Sequence, residues 1–220
     1  MGLQRHADSG VRLKGPARSL HIRGNALIII PESNSRPAAG KTPRHAKGDF
    51  FMSGFREIAP KDMKFNPFTM INDEWMLLTA GNEQKCNTMT VSWGALGILW
   101  GKPAATVYVR PTRYTLEFLD REKTFSLCVL GGEHREALNY CGSRSGRDGD
   151  KIKAAGLTPM FEGSTPYFQE AKTVLVCRKL YRQELDPACF ADKSLDAANY
   201  PKKDYHRMFV GEILKVLVKD

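Results

Sequence analysis

The polar and apolar positions that follow residue 50 repeat with the short period of β-strands along much of the chain. The strictest alternation lies at residues 87–93, where the apolar side chains fall on one face and Thr88, Thr90 and Ser92 fall on the other. With its turn residues, the pattern predicts strands at 75–80, 87–93, 104–109, 124–130, 173–184 and 206–218.

Short helices are predicted between these strands. They fall at 112–120, at 133–140 and, from a cap at Asp148, over a segment that ends at Gly156. Neither an internal repeat nor the strand–helix alternation of parallel βαβ units is visible. We therefore expect a mainly β fold, in which mostly antiparallel strands with peripheral helices close as a barrel.

The amino-terminal segment, residues 1–50, differs from the rest of the chain in periodicity and composition. It lacks both periods and is dense in Gly, Pro, Ser, Ala and Arg, which predicts a disordered basic extension ahead of one domain at 51–220. Met52 is an alternative initiator, in which case the upstream residues lie outside the working protein. A basic arm for nucleic acid or a membrane is the competing interpretation.

Composition narrows the class of protein. The 220 residues are 42% hydrophobic and 26% charged, which is globular. Of the net charge of +9, residues 1–50 carry +6 and the other 170 residues only +3, so we expect no nucleic-acid partner for the domain. No apolar run approaches the roughly 18–20 residues of a membrane span. Five cysteines without a C-x-x-C motif favour a reducing, cytoplasmic location.

The strand at 87–93 is the first candidate for chemistry. Small hydroxyl side chains let a strand approach a flat ring such as an isoalloxazine closely, and its backbone amides and hydroxyls can bond to the polar edge of that ring. The alternative is an ordinary half-buried strand, in which threonine simply suits β geometry.

A second candidate lies at residues 110–115, where a strand gives way to a helix. Backbone N–H groups and the positive helix end point to one space there, and Arg110, Arg113, Thr112 and Thr115 add donors suited to a phosphate monoester. Two solvated arginines beside an ordinary helix start are the alternative.

The third candidate is the Gly- and Ser-rich stretch at 141–151, which also carries Arg147 and Lys151. Such a loop can turn its amides toward an anion, although the P-loop spacing is missing and a charged surface loop is equally consistent. No G-x-G-x-x-G, H-E-x-x-H or G-x-S-x-G motif is present, so a Rossmann domain, a metal site and a serine hydrolase are not expected. His206 is the one histidine with a candidate role.

These motifs occur in a distinctive order: N-T-M-T-V-S-W-G, a strand leading into R-P-T-R-Y-T, then C-G-S-R-S-G-R-D-G-D-K and G-L-T-P, and late in the chain Y-H-R-M-F-V-G-E-I. The order closely resembles the flavin reductase-like family of FMN-binding split-barrel proteins, including its flavoredoxin-type members. The likeness extends over residues 52–219.

The resemblance implies an antiparallel split β-barrel that forms a homodimer and holds FMN near the subunit interface. It assigns three groups of residues to the cofactor. The isoalloxazine and ribityl chain would contact Asn87, Thr88, Met89, Thr90 and Ser92, with Trp93 nearby. The phosphate would contact Arg110, Arg113, Tyr114 and Thr115, and the closing loop would supply Ser143, Ser145, Arg147, Asp148 and Lys151.

The resemblance also implies an activity: hydride transfer from NADH or NADPH to flavin, with electrons passed onward to an acceptor. His206 would then lie near the nicotinamide or the flavin face, and no general acid or base is assigned. Two alternatives stay open, a flavoredoxin-like electron-transfer protein reduced by a partner protein and a non-catalytic FMN-binding protein.

Overall fold

The computed structural model describes residues 54–219 and the backbone of residues 21–23 and 26–28. The chain divides into two compact units, Met1–Gly48 and Asp49–Asp220. In the first unit, strands β1 (His21–Arg23) and β2 (Ala26–Ile28) pair antiparallel. The prediction of disorder at 1–50 falls mainly on residues outside the described set, and it stays a prediction.

The second unit is built on strands. Its ten strands are β3 (Phe55–Ile58), β4 (Met76–Gly81), β5 (Cys86–Val91), β6 (Gly94–Leu99), β7 (Lys102–Val109), β8 (Thr124–Val129), β9 (Pro159–Glu162), β10 (Thr165–Phe168), β11 (Thr173–Glu184) and β12 (Arg207–Lys219). Seven of them run in the order β5-β4-β8-β11-β12-β7-β6, and β3 pairs with β12. All these pairs, and the β9–β10 hairpin, are antiparallel. The predicted mainly β, antiparallel class is confirmed.

The helices are short and lie between strands: α1 (Pro67–Thr69), α2 (Thr115–Arg121), α3 (Arg135–Ser143), α4 (Lys151–Ala154) and α5 (Lys193–Asn199). The helix predicted from Asp148 is shifted, because Asp150 is the residue that caps α4, with its side chain accepting from the Lys153 N–H at 3.1 Å. Within the described residues, no helix is long and apolar enough to cross a membrane.

Several strand boundaries also differ from expectation by one or two residues. Trp75 has a φ of 65°, which takes it out of the extended conformation, so β4 begins one residue later. The strand predicted at 87–93 ends at Val91. The sequence pattern missed β3, β6, the β9–β10 hairpin and α5 altogether, since β6 and α5 have largely exposed side chains and therefore little burial pattern to read.

Apolar side chains fill both faces of the central strands. Leu78, Leu127 and Leu175 belong to one buried cluster on the concave face of the sheet. Their chain neighbours, such as Leu77 and Cys128, belong to a second cluster, in which α3 and the β9–β10 hairpin cover the opposite face. Consecutive residues of one strand thus enter different cores, which explains the continuous apolar run at 75–80.

The end strands of the sheet, β5 and β6, are consecutive in the chain and are joined by Ser92 and Trp93 alone. Such a link spans at most about 11 Å, so the sheet curls until its two ends approach each other. In the part of the chain that the structure describes, no ladder of hydrogen bonds joins β5 to β6. The expected barrel is therefore open along one line, which we call the seam.

Candidate functional site

A cavity of about 160 Å³ lies at the seam, where β5 ends. We call it the seam cavity. It is lined by residues 89–93, Tyr108, Arg110, Arg113 and His206. The antiparallel pairing of β7 with β12 places Tyr108 opposite Met208 and Val109 opposite Arg207, and so brings Arg110 and His206 to one end of the sheet.

The charges around the seam cavity are unevenly paired. Arg110 forms an ion pair with Asp204 at 2.9 Å, donates to the Asn199 carbonyl at 2.9 Å, and lies over the Tyr200 ring. Arg113 donates to the Gly142 carbonyl at 2.8 Å and has no carboxylate partner among residues 54–219. Two guanidinium groups thus lie beside an open cavity and only Arg110 is paired with a carboxylate among the described residues, which leaves a local excess of positive charge.

His206 is buried beside these cations, with 8% of its surface exposed. Burial, with a smaller contribution from Arg110 and Arg113, lowers the pKa of His206 to about 4, and Asp204 opposes this shift. The ring is therefore neutral at pH 7. The Trp93 ring lies 5.0 Å from it and is 46% exposed, so the two rings form an aromatic wall of the seam cavity.

The hydroxyl side chains of β5 do not form the continuous open face that the alternation predicted. Thr88 is fully buried, with its hydroxyl 2.9 Å from that of Thr79 and donating to the Leu78 carbonyl at 3.2 Å. The Thr90 hydroxyl donates to the Leu138 carbonyl of α3, since that helix packs on the outer face of the strand. The end of the strand and the two residues after it, 89–93 together, line the seam cavity.

Two further predicted residues are bonded to each other inside the protein. The Asn87 amide donates to the Thr115 hydroxyl at 2.7 Å, and both side chains are buried. The hydroxyl of Thr115 is thus held by Asn87, and Thr115 does not line the seam cavity. Its expected part in phosphate binding stays a prediction.

The loop between α3 and α4 packs tightly on β5. A Cβ atom at Gly146 would lie 2.2 Å from the side-chain Oδ1 of Asn87 and 3.0 Å from the Tyr114 ring, so only glycine allows this approach. Gly146 and Gly149 of this loop line a larger cavity of about 820 Å³, which we call the loop cavity. Asn87, Tyr114 and Lys151 line the loop cavity.

Two cations of this region, Lys151 and Arg147, are occupied by protein partners. Lys151 is buried and donates to the carbonyls of Cys141 at 3.0 Å and Arg144 at 3.1 Å, at the carboxyl end of α3. Burial lowers the pKa of Lys151, the Cys141 thiol opposes this, and Arg113 lowers it further. Arg147 pairs with Glu117 at 2.5 Å and lies over the Tyr114 ring.

The remaining loop residues bond locally. The Ser143 hydroxyl donates to the Asn139 carbonyl at 2.9 Å, and the Ser145 hydroxyl accepts from the Arg147 N–H at 3.2 Å. The Asp148 N–H donates to the Ser145 carbonyl at 3.2 Å. Ser143, Ser145, Arg147 and Asp148 line neither cavity.

Comparison with known domains identifies the family. Residues 71–220 match the model of the flavin reductase like domain. The chain belongs to this family. A search of curated protein sequences gave no significant match.

Solved structures with the same fold include flavin-binding members of several kinds. The flavoredoxin of Methanosarcina acetivorans is 22% identical, with a TM-score of 0.51 over 70% of this chain and 74% of the other. An FMN-binding domain of a flavin reductase-like enzyme from Shewanella baltica is 16% identical, with a TM-score of 0.53 over 75% and 77%. The NADH:FAD oxidoreductase SgcE6 of Streptomyces globisporus is 15% identical, with a TM-score of 0.50 over 66% and 81%.

Several site residues of this flavin reductase-like protein were not expected from sequence. Tyr108 lines the seam cavity, and Asn199, Tyr200 and Asp204 hold Arg110 from a segment that no motif marked. The sequence signal that could have pointed to this segment is the pair Asp204 and Tyr205, which immediately precedes His206. The described residues contain no group of three or more His, Cys, Asp or Glu side chains that could hold a metal ion.

Proposed function

We propose that this protein binds FMN at the seam cavity and is an oxidoreductase that accepts hydride from NADH or NADPH and passes electrons onward. The carrying observation is the seam cavity itself, in a chain of the flavin reductase-like family: unpaired positive charge and an exposed aromatic wall meet there at an open strand end. The positive charge suits a phosphate monoester, and the aromatic wall suits a flat conjugated ring.

The residues present fit FMN. Arg113, which lacks a carboxylate partner among the described residues, would take the phosphate, with Arg110 adding charge. The strand end at Thr90 and Ser92 would face the polar edge of the ring, and Trp93 would shield one side of it from water. Bound FMN supplies the redox chemistry. The task of the chain is to bind and orient it, and the neutral His206 adds no third positive charge.

Reduction by a nicotinamide is tested directly by mixing FMN-loaded protein with NADH or NADPH in a stopped-flow instrument. We expect flavin absorbance to bleach with at least one of them. Bound FMN that neither nicotinamide bleaches would contradict the reductase proposal. It would support instead the second candidate, a flavoredoxin-like electron-transfer protein reduced by a partner protein, which the M. acetivorans neighbour favours. Protein that cannot be loaded with FMN would reject both.

We further propose that the protein is a homodimer. The seam cavity, at about 160 Å³, is smaller than the roughly 300–1,000 Å³ of sites that enclose a ligand. The edge strand β6 and the turn after it carry exposed apolar side chains, Ile98 at 73% in the strand and Trp100 at 61% in the turn. A second copy would cover both the edge and the ligand. Sedimentation of the wild type and of Ile98→Glu tests this: a monomeric wild type would exclude it.

The working domain in this proposal is 51–220, and residues 1–50 take no part in the chemistry. All five cysteines are free thiols, which supports a reducing, cytoplasmic location. Deleting residues 1–50 is expected to leave FMN affinity unchanged. A loss of binding after deletion would assign that segment a role in the site.

A further inference from the structure

The segment between β11 and β12, residues 185–206, leaves the sheet and returns to the seam cavity. A backbone hydrogen bond from Leu185 to the His206 carbonyl, 2.9 Å long, closes its base. Within it, Tyr200 packs against Tyr205 and Phe190, with ring centroids 4.9 and 5.9 Å away. The segment is thus an aromatic platform next to His206.

Tyr200 makes a direct hydrogen bond to the histidine. Its hydroxyl oxygen lies 2.8 Å from Nδ1 of His206, and both side chains are buried. The two rings meet edge to face, with centroids 5.6 Å apart. This hydrogen bond and the packing of Trp93 against the same ring together fix the orientation of the imidazole.

The direction of this hydrogen bond follows from the protonation of both partners. Burial raises the pKa of Tyr200 and Arg110 opposes this, so the hydroxyl keeps its proton at neutral pH. Among residues 54–219, no other side chain is hydrogen-bonded to the Tyr200 hydroxyl, so the proton of this buried group is available to Nδ1. A neutral imidazole has one donor and one acceptor, so Nδ1 as acceptor leaves the proton on Nε2.

The other ring nitrogen, Nε2, belongs to a side chain that is not closed off by hydrogen bonds from the described part of the protein. His206 lines the seam cavity, and Nε2 has no hydrogen-bond partner among residues 54–219. The charged and titratable groups around the ring are Tyr200, Arg110, Arg113 and Asp204. None of the four is hydrogen-bonded to Nε2, so an N–H at that position is available to a ligand.

We propose that Tyr200 is a positioning residue: by donating to Nδ1, it holds His206 as the tautomer that presents an Nε2–H donor to the seam cavity. The ligand atom that meets this donor must be an acceptor, such as a carbonyl oxygen or an unprotonated ring nitrogen of a planar heteroaromatic molecule. This last step rests on the proposed FMN site, whereas the tautomer itself does not.

The test uses the full chain without added flavin. Long-range ¹H–¹⁵N spectra distinguish the two imidazole tautomers, and His206→Gln identifies the signals of His206. The variants are Tyr200→Phe, which removes only the hydroxyl, and the matched control Tyr205→Phe, whose hydroxyl donates instead to Asp196 at 2.9 Å. We expect the Nε2–H tautomer in the wild type and in Tyr205→Phe. In Tyr200→Phe we expect mixed tautomers and a His206 pKa higher by about 1, because a bond to the neutral form is lost.

A second measurement connects the tautomer to the ligand. We expect Tyr200→Phe to weaken FMN binding about 2- to 5-fold, and to have no further effect in the His206→Gln background, where the amide supplies a donor without needing Tyr200. A wild-type spectrum with the proton on Nδ1, or a Tyr200→Phe spectrum like that of Tyr205→Phe, would overturn the proposal. The expected spectra without FMN binding would retain the positioning role and reject the FMN site.

Discussion

Two regions of this flavin reductase-like protein carry arginine or lysine where the sequence suggests a phosphate, and they use these residues differently. At the seam cavity, Arg110 pairs with Asp204, and Arg113 has no carboxylate partner among the described residues. In the loop before α4, Lys151 bonds to two carbonyls and Arg147 pairs with Glu117. The comparison shows that the partners of a cation, more than its presence in a motif, decide whether it is available to a ligand.

The largest effect is expected from removing the buried cation of the loop. Lys151→Met leaves the Cys141 and Arg144 carbonyls without their charged donor, which should lower the free energy of unfolding by about 3 kcal/mol in urea denaturation. The exposed Lys153→Met is the control and should change it by less than about 0.5 kcal/mol. Equal stability of the two variants would mean that Lys151 is not the structural cation of this region.

The loss of stability in acid should depend on His206, at the seam cavity, and not on His134, which lies elsewhere. The folded pKa of about 4 lies below the ordinary 6.5, so the unfolded state takes up the proton first as pH falls. The contribution of the neutral His206 ring to the free energy of unfolding is therefore complete above about pH 6.5 and is lost progressively toward pH 4. His206→Gln should therefore show a smaller loss of stability over that window than the wild type or the control His134→Gln. If the free energy of unfolding of His206→Gln fell with pH as steeply as that of the wild type, the burial of a neutral ring would be contradicted.

Ligand binding should distinguish the two arginines. Arg113→Ala should weaken FMN about 10-fold and riboflavin much less, because a charged hydrogen bond to phosphate is lost. Arg147→Ala should weaken FMN less than about 3-fold, since its charge is already balanced by Glu117. The reverse order, measured by fluorescence titration, would move the phosphate to the loop region.

The smallest effect is expected from tightening the contact between the two regions. Gly146→Ala places a methyl group against Asn87 and Tyr114, and should lower the free energy of unfolding by about 1 kcal/mol as the loop shifts. Gly132→Ala, with open space at its Cβ position, is the matched control. If both variants unfold alike, the loop is not packed on β5 as described.

The sequence predicted the elements whose burial pattern is local. The alternation around β5 correctly places Met89 and Val91 in the core, and the apolar run of β4 reflects burial on both faces. The pattern could not reveal that α3 covers the outer face of β5, because that cover is supplied by residues about 50 positions away, such as Leu138 bonding to Thr90.

The candidate site was predictable only in part for the same reason. Ser92, Trp93, Arg110, Arg113 and His206 do meet in one cavity, although they come from three separate stretches of the chain. Thr88 and Thr115 look equally suitable in the sequence, yet Thr79 and Asn87 already occupy their hydroxyls. Tyr200 carries no motif, and only the return of residues 185–206 to β12 brings it to His206.

The seam has a consequence for folding. The β4–β5 and β6–β7 hairpins are local and meet at Ser92 and Trp93, but each must then pair with a strand far along the chain, β8 or β12. Pairing β7 with β12 closes a loop of about 100 residues, which is slow. Arg110 and His206 meet only when this last pairing has formed. A ligand that needs both therefore binds the finished fold alone and stabilises it by mass action.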